Sequence, residues 1–392
     1  MSETKSMFWK NHYEGIVCLA FLLLIVGCIN IFSASQVAAQ DMFNNSKHYL
    51  YRHLIFACLG MVGMFILSHI DYKLWLRKPD YLAIAMIFLL VFVVYKGVSV
   101  KGAQRWIELV GGFSFQPSEI AKMVVVLLCA AILGNKIDMR RKTTLLSTPI
   151  LWTLIIGFLV YIQPDMGTAA IIVGLTLALY FICGLPNRQY LLLLGCVPVA
   201  VAFFATKATY RMERIQAWFD PWSYADRIGY QSVQSMLAIG SGGLFGVGFG
   251  QGSSKFYYLP EAHTDFAFAI LCQEWGFVGA FCVISLFALF GYILWQAAAL
   301  APDGGGYLII MGCNLLITGQ AVGNIAMVCG LLPVIGVPLP FISYGGTSLL
   351  VTFGILGIVL NVIRQGKKLQ RENALSEEEA MYSYKRSLRL VK

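Results

Sequence analysis

Apolar runs of membrane-crossing length recur along the 392-residue chain, near 15–34, 49–70, 81–96, 118–134, 149–163, 167–184, 190–206, 265–297, 307–330 and 343–363. A helix needs roughly 17–25 such residues to cross a hydrocarbon layer about 30 Å thick. Within that layer backbone N–H and C=O groups must pair inside the segment, so the runs are predicted to be helices. The expected fold class is all-α integral membrane, with about ten transmembrane helices. Composition agrees: 58% of residues are hydrophobic and 12% charged, against about 25% charged in soluble domains. The first run has no small-residue cleavage site after it, so it reads as a first span and not a secretory signal.

Charge sets the orientation. Basic residues collect in alternate loops, as Lys73, Arg77 and Lys78, then Lys136, Arg140, Arg141 and Lys142, then Arg188, and again in the tail after Arg364. Cytoplasmic loops carry this excess, so both termini are expected in the cytoplasm. The same rule accounts for the net charge of +9 without nucleic acid as a partner. The expected organisation is a cytoplasmic N-terminus (1–14), one ten-helix membrane domain (15–363) and a basic cytoplasmic tail (364–392), solvated or anchored on anionic lipid. The 10 cysteines all fall in apolar runs with no CxxC, which indicates small hydrophobes and neither a disulfide framework nor a zinc site.

Two longer loops are then expected to face outward, 97–117 and above all 207–264, the second carrying short membrane-associated helices and candidate site residues. A charge within the bilayer costs at least ~2.5 kcal/mol, so each is a candidate for function. Glu119 and Lys122 share a helical face after Pro117 and can pair, or serve as a cap with Lys122 snorkelling outward. Asp165, in Gln163-Pro-Asp-Met-Gly167, suits a helix cap or a polar site in a broken helix. Asp265 opens the eighth span beside Glu261 and His263, where it is either an N-cap or a partly desolvated general base. Glu274 lies nine residues on, about 900° round a straight helix, so it faces away and is expected to bond a neighbouring helix instead. The glycine-rich run Gly246–Gly252 lacks the strand and the GKS or GKT of known phosphate loops, yet its N–H groups could cradle an anion beside Lys255. Arg105, Arg211 and Arg214 add outward cations. The combination suggests an anionic, lipid-linked substrate.

Six motifs, Lys101-Gly-Ala-Gln-Arg-Trp-Ile107, Phe115-Gln-Pro-Ser-Glu-Ile-Ala-Lys122, Gln163-Pro-Asp-Met-Gly-Thr168, Gly248-Phe-Gly-Gln-Gly-Ser-Ser-Lys255, Leu259-Pro-Glu-Ala-His-Thr-Asp-Phe266 and Pro338-Leu-Pro-Phe-Ile-Ser-Tyr-Gly-Gly346, together resemble the SEDS family (shape, elongation, division and sporulation). The wording around Asp265 is closer to the FtsW/SpoVE branch than to the RodA branch. One departure is Gln104, where family members often have arginine. The resemblance implies a peptidoglycan glycosyltransferase of the outer face of a bacterial cytoplasmic (inner) membrane, polymerising lipid II in cell division or a related septal or sporulation process. It implies work with a class B penicillin-binding protein and other divisome membrane proteins. The family's catalytic aspartate falls on Asp265, as general base in a single inverting displacement with undecaprenyl pyrophosphate leaving. Arg105, Glu119, Lys122, Asp165, Arg211, Arg214, Lys255, Glu261, His263 and Ser343 are the substrate-binding candidates. A divalent cation (Mg or Mn) held partly by Glu119 is a further candidate, with no organic cofactor. A lipid II flippase is the competing class, and a scaffold that only anchors the penicillin-binding protein is a third.

Overall fold

The computed structural model describes residues 12–100, 103–109, 113–144, 147–206, 209–256 and 258–390. The chain runs through α1 (His12–Phe43), α2 (His48–Leu67), the short α3 (Lys73–Leu76) and α4 (Pro79–Lys96) before a small sheet. After it come α5 (Pro117–Asp138), α6 (Thr148–Ile162), α7 (Met166–Ile182), α8 (Asn187–Thr206), α9 (Thr209–Phe219), α10 (Tyr230–Ser241), α11 (Ala267–Ala298), α12 (Gly304–Asn314), α13 (Gln320–Val328) and α14 (Gly346–Leu390). A π-helical turn, Leu315–Gly319, joins α12 to α13 as one span.

Each apolar run falls on a helix of this set. Among the described residues 7 helices are long and apolar enough to cross a membrane, while α6 and α7 are shorter apolar helices of 15 and 17 residues. The long loop 207–264 holds the short helices α9 and α10, as expected. The loop 97–117 holds an unexpected feature, three antiparallel strands in the order β1 (Val98–Val100), β2 (Ala103–Leu109) and β3 (Phe113–Phe115). Its valine, tryptophan, isoleucine and phenylalanine content favours pairing of this kind.

Packing places α5 at the centre. This 22-residue helix is apolar all round apart from its ends, which suits burial on every side. It touches α4, α6, α7, α12 and α14. Gly134 lets it approach α12 so closely that a Cβ there would collide with the Gly305 backbone, the small-residue contact on which membrane helices rely. The outer helices instead turn Phe65, Phe88, Phe92 and Phe158 outward, a surface that lipid can cover.

α11 is broken, and the break is built from glycine. Gly276 has φ 67° inside the helix, a conformation open to glycine and strained for other residues. The break orphans backbone groups on both sides. The glycine-rich loop supplies their partners: Val247 N–H donates to the Gln273 carbonyl and Gly248 N–H to the Glu274 carbonyl. In return Phe277 and Val278 donate to the carbonyls of Gly243 and Leu244. The loop is thereby spliced into the helix. Gly276→Ala is expected to cost about 1–3 kcal/mol and lower the melting temperature in detergent. Gly174→Ala on α7, where an added Cβ meets nothing within 4 Å, serves as the neutral control.

Candidate functional site

The site assembles from the start of α5. Pro117 begins that helix and Glu119 occupies its first turn. One turn on, Lys122 meets Glu119 at 2.8 Å. Both are buried, so Lys122 does not snorkel outward. Its ammonium also donates to Gln320 Oε1 on α13 at 2.9 Å, and Gln320 Nε2 donates to the Pro338 carbonyl at 2.8 Å. One helical turn further along α13, Asn324 Nδ2 donates to the carbonyls of Asp265 and Val337 at 2.8 and 2.7 Å. Residues four apart share a helix face. α13 thus ties α5, the loop before α11 and the loop before α14 into one polar layer.

Asp165 anchors the neighbouring part. It caps α7 by accepting from Thr168 N–H, which is the commoner role for such a residue. It also accepts from Gln116 Nε2 and Ser118 Oγ at 2.9 and 3.1 Å. Arg105, reaching in from β2, lies 3.7 Å from its carboxylate and donates to the carbonyls of Gln163 and Pro164. The strand so clamps the turn before α7, and the cap doubles as a junction between β2, α5 and α7.

Asp265 lies two residues before α11, in a tight turn in which Thr264 and Phe266 N–H groups both bond the Glu261 carbonyl. Glu261 adopts φ 57° there and its carboxylate accepts from Thr264 Oγ1 at 2.7 Å. Asp265 is half-buried, with Gly336 against its carboxylate. The His263 carbonyl accepts from Tyr344 N–H at 2.9 Å, and its ring lies 4.4 Å from that of Tyr49. Arg52 donates to the Tyr344 phenol oxygen. Burial nevertheless raises that phenol above the ordinary tyrosine range, so it stays neutral at physiological pH.

The remaining candidates scatter. Lys255 is buried and donates to Glu274 Oε1, Ser33 Oγ and the Gly250 carbonyl at 2.9, 2.9 and 2.7 Å. An ammonium has three protons, so all are used and none is left for a substrate oxygen. Glu274 also accepts from Ser33 on α1 and from Gly250 N–H, as expected for a residue facing a neighbouring helix. The anion cradled by the glycine loop is therefore the chain's own Glu274. Ser343 is buried and its Oγ accepts from Leu339 N–H at 2.9 Å. Arg214 is exposed and reaches the Val334 carbonyl. The Arg211 side chain lies outside the described residues, as do Lys101 and Gly102 of the first motif.

Three participants escaped sequence reasoning: Arg52, Gln320 and Asn324. Each sits in a run read only for hydrophobicity. Gln320 and Asn324 carried a usable signal, two amides four apart in an apolar helix. Among the described residues Glu119 is not poised for a protein-held divalent cation. Glu119 is neutralised by Lys122, and among the described residues no three His, Cys, Asp or Glu side chains converge to hold a metal.

The ion pairs of Glu119, Asp165 and Glu274 and the half-buried Asp265 gather near helix breaks of a helical bundle, which defines an integral membrane protein with a built polar site. The chain belongs to the cell cycle protein family of FtsW, RodA and SpoVE, whose family model matches residues 14–368. It is 38% identical over 357 residues to a probable peptidoglycan glycosyltransferase FtsW of Geobacter sp. (strain M18), covering 89% of this chain and 96% of that protein. It is 37% identical over 359 residues to stage V sporulation protein E of Bacillus subtilis (strain 168), covering 90% and 97%. Among solved structures, a chain from a peptidoglycan synthase complex that coordinates polymerization and crosslinking superposes with a TM-score of 0.75 at 30% identity, covering 91% and 98%. The rod shape determining protein RodA of Thermus thermophilus gives a TM-score of 0.65 at 28% identity, covering 89% and 96%.

Proposed function

We propose that the chain is a peptidoglycan glycosyltransferase that polymerises lipid II, with Asp265 as general base. The observation that carries this reading is the position of Asp265. Asp265 stands half-buried where the turn before α11, α13 and the loop before α14 meet. It takes the proton from the acceptor sugar's 4-hydroxyl as that oxygen attacks the donor's anomeric carbon. Undecaprenyl pyrophosphate leaves, and one inverting displacement needs only one base. Arg52, Arg105, Arg214 and the third proton of Lys122 are the groups from which the pyrophosphate draws its countercharge. Lys255 holds the scaffold and takes no part in this list.

The relatives named for glycosyl transfer support the same reading. A neighbour from a complex that also crosslinks supports a class B penicillin-binding protein as partner. The distribution of lysine and arginine supports both termini in the cytoplasm and the Asp265 end facing outward. A flippase would need polar groups along the bilayer. Instead the centre of α5, from Val124 to Leu133, is buried and apolar. The test is lipid II polymerisation by the purified chain with its crosslinking partner, read as glycan strands on a gel. Transport of lipid II across vesicles without strands would overturn the enzyme in favour of the flippase.

A further inference from the structure

At the far end of α5 the chain forms a second candidate site that glycosyl transfer does not use. The 22 residues of α5 separate it from Glu119 by about 30 Å at ~1.5 Å per residue. It is a shallow, open depression of about 430 Å³ whose lining includes Lys136, Arg140, Arg141, Lys142, Ile182 and Tyr307. None of these cations makes a side-chain hydrogen bond or ion pair among the described residues. The acids beside them are occupied: Asp138 accepts from Gly304 N–H at 2.8 Å, and Asp303 accepts from Gly306 N–H and the Tyr72 hydroxyl at 2.7 and 2.6 Å.

Two ordinary explanations fall short. A helix C-terminus attracts a cation or two, and the cytoplasmic face attracts many. Neither gathers them around one depression that Ile182 and Tyr307 also line. The backbone adds a separate observation. Arg140 sits at φ 50°, closing α5 with Arg140 N–H on the Ile137 carbonyl and Arg141 N–H on the Lys136 carbonyl. Glycine is the usual occupant of that position. Arginine held there at a cost in strain keeps consecutive cations at the rim.

We infer that this pocket binds the headgroup phosphate of an anionic phospholipid of the membrane leaflet at that end. Phosphate oxygens meet the guanidinium groups, which present paired donors to them. The acyl chains continue over Ile182 and the exposed Phe181 and Leu191 of α7 and α8. In the orientation proposed above, the leaflet is the cytoplasmic one. Basic pockets between membrane helices on that face are suited to anionic headgroups.

The test uses the full chain purified in a neutral detergent. Native mass spectrometry should show phosphatidylglycerol retained over phosphatidylcholine. An Arg140→Gln/Arg141→Gln/Lys142→Gln variant should retain phosphatidylglycerol roughly tenfold or more weakly, and Arg140→Lys/Arg141→Lys, which keeps the charge but loses the paired donors, should fall between the parent and that variant. A second measurement needs no variant: phosphatidylglycerol, unlike phosphatidylcholine, should protect Lys136 and Lys142 from acetylation by acetic anhydride. Equal retention of the two lipids, unchanged retention by the triple variant or equal acetylation would overturn the site. Displacement of phosphatidylglycerol by equimolar inorganic phosphate would reassign it to a free phosphate anion.

Discussion

Replacing Asp265 by alanine or asparagine is expected to slow lipid II polymerisation by roughly 10²–10⁴-fold or more, the usual contribution of a general base. The melting temperature should stay near that of the parent chain. The reason lies in how Asp265 is held. Its carbonyl is fixed by Asn324 and its turn by bonds to the Glu261 carbonyl, both of which involve backbone and survive the change. Only the carboxylate is lost. Strand formation on a gel and a thermal melt of the same preparation separate chemistry from folding. A variant that polymerises at the parent rate would place the base elsewhere. One that simply melts would show that the carboxylate has a structural duty.

Lys255→Met is expected to do the reverse. Lys255 and Glu274 meet at 2.9 Å with side chains 2% and 1% exposed. Removing one partner leaves a buried charge with nothing opposite, which costs about 3–5 kcal/mol. It also loosens Ser33 and the glycine loop, whose Gly250 N–H and carbonyl belong to the same network. Melting in detergent should fall by many degrees, and polymerisation by the fraction still folded at low temperature should persist. The double change Lys255→Met/Glu274→Met should recover part of the loss, because two apolar groups replace the pair. A stable but inactive Lys255→Met would restore Lys255 as a substrate-binding cation.

Much of this was legible in the sequence, for definite reasons. Hydrophobicity is nearly sufficient for helices in lipid, where no other backbone arrangement is satisfied. That located the spans and put both Glu119 with Lys122 and Asp165 near one another in role before their contacts were visible. The turn from Glu119 to Lys122 is local, so spacing alone offered the pair, beside the alternative of a cap with a snorkelling lysine that the buried contact rules out. The capping role of Asp165 was readable from its neighbours, while its bonds to Gln116, Ser118 and Arg105 depend on how distant segments pack. Lys255 shows the limit most clearly. Sequence placed it beside a glycine loop and suggested a foreign anion, but the anion it meets is Glu274, and only the break at Gly276 brings the two face to face. The sheet around Arg105 was missed because short strands between apolar helices give too few residues for a period. Gln320 and Asn324 were missed because the run holding them was weighed for length, and two amides barely change its mean.

The splice at Gly276 also bears on how the loop 207–264 can vary over time. Residues 243–248 and 273–278 exchange backbone bonds in fixed register, so inserting a residue in either partner would leave polar groups unmatched in an apolar setting. The exposed turn around Asp226, before α10, carries no such pairing with α11. Divergence in length within this loop should therefore accumulate near Asp226 and be purged from Gly243–Gly248, which fixes in advance where a tag or a foreign epitope can be grafted.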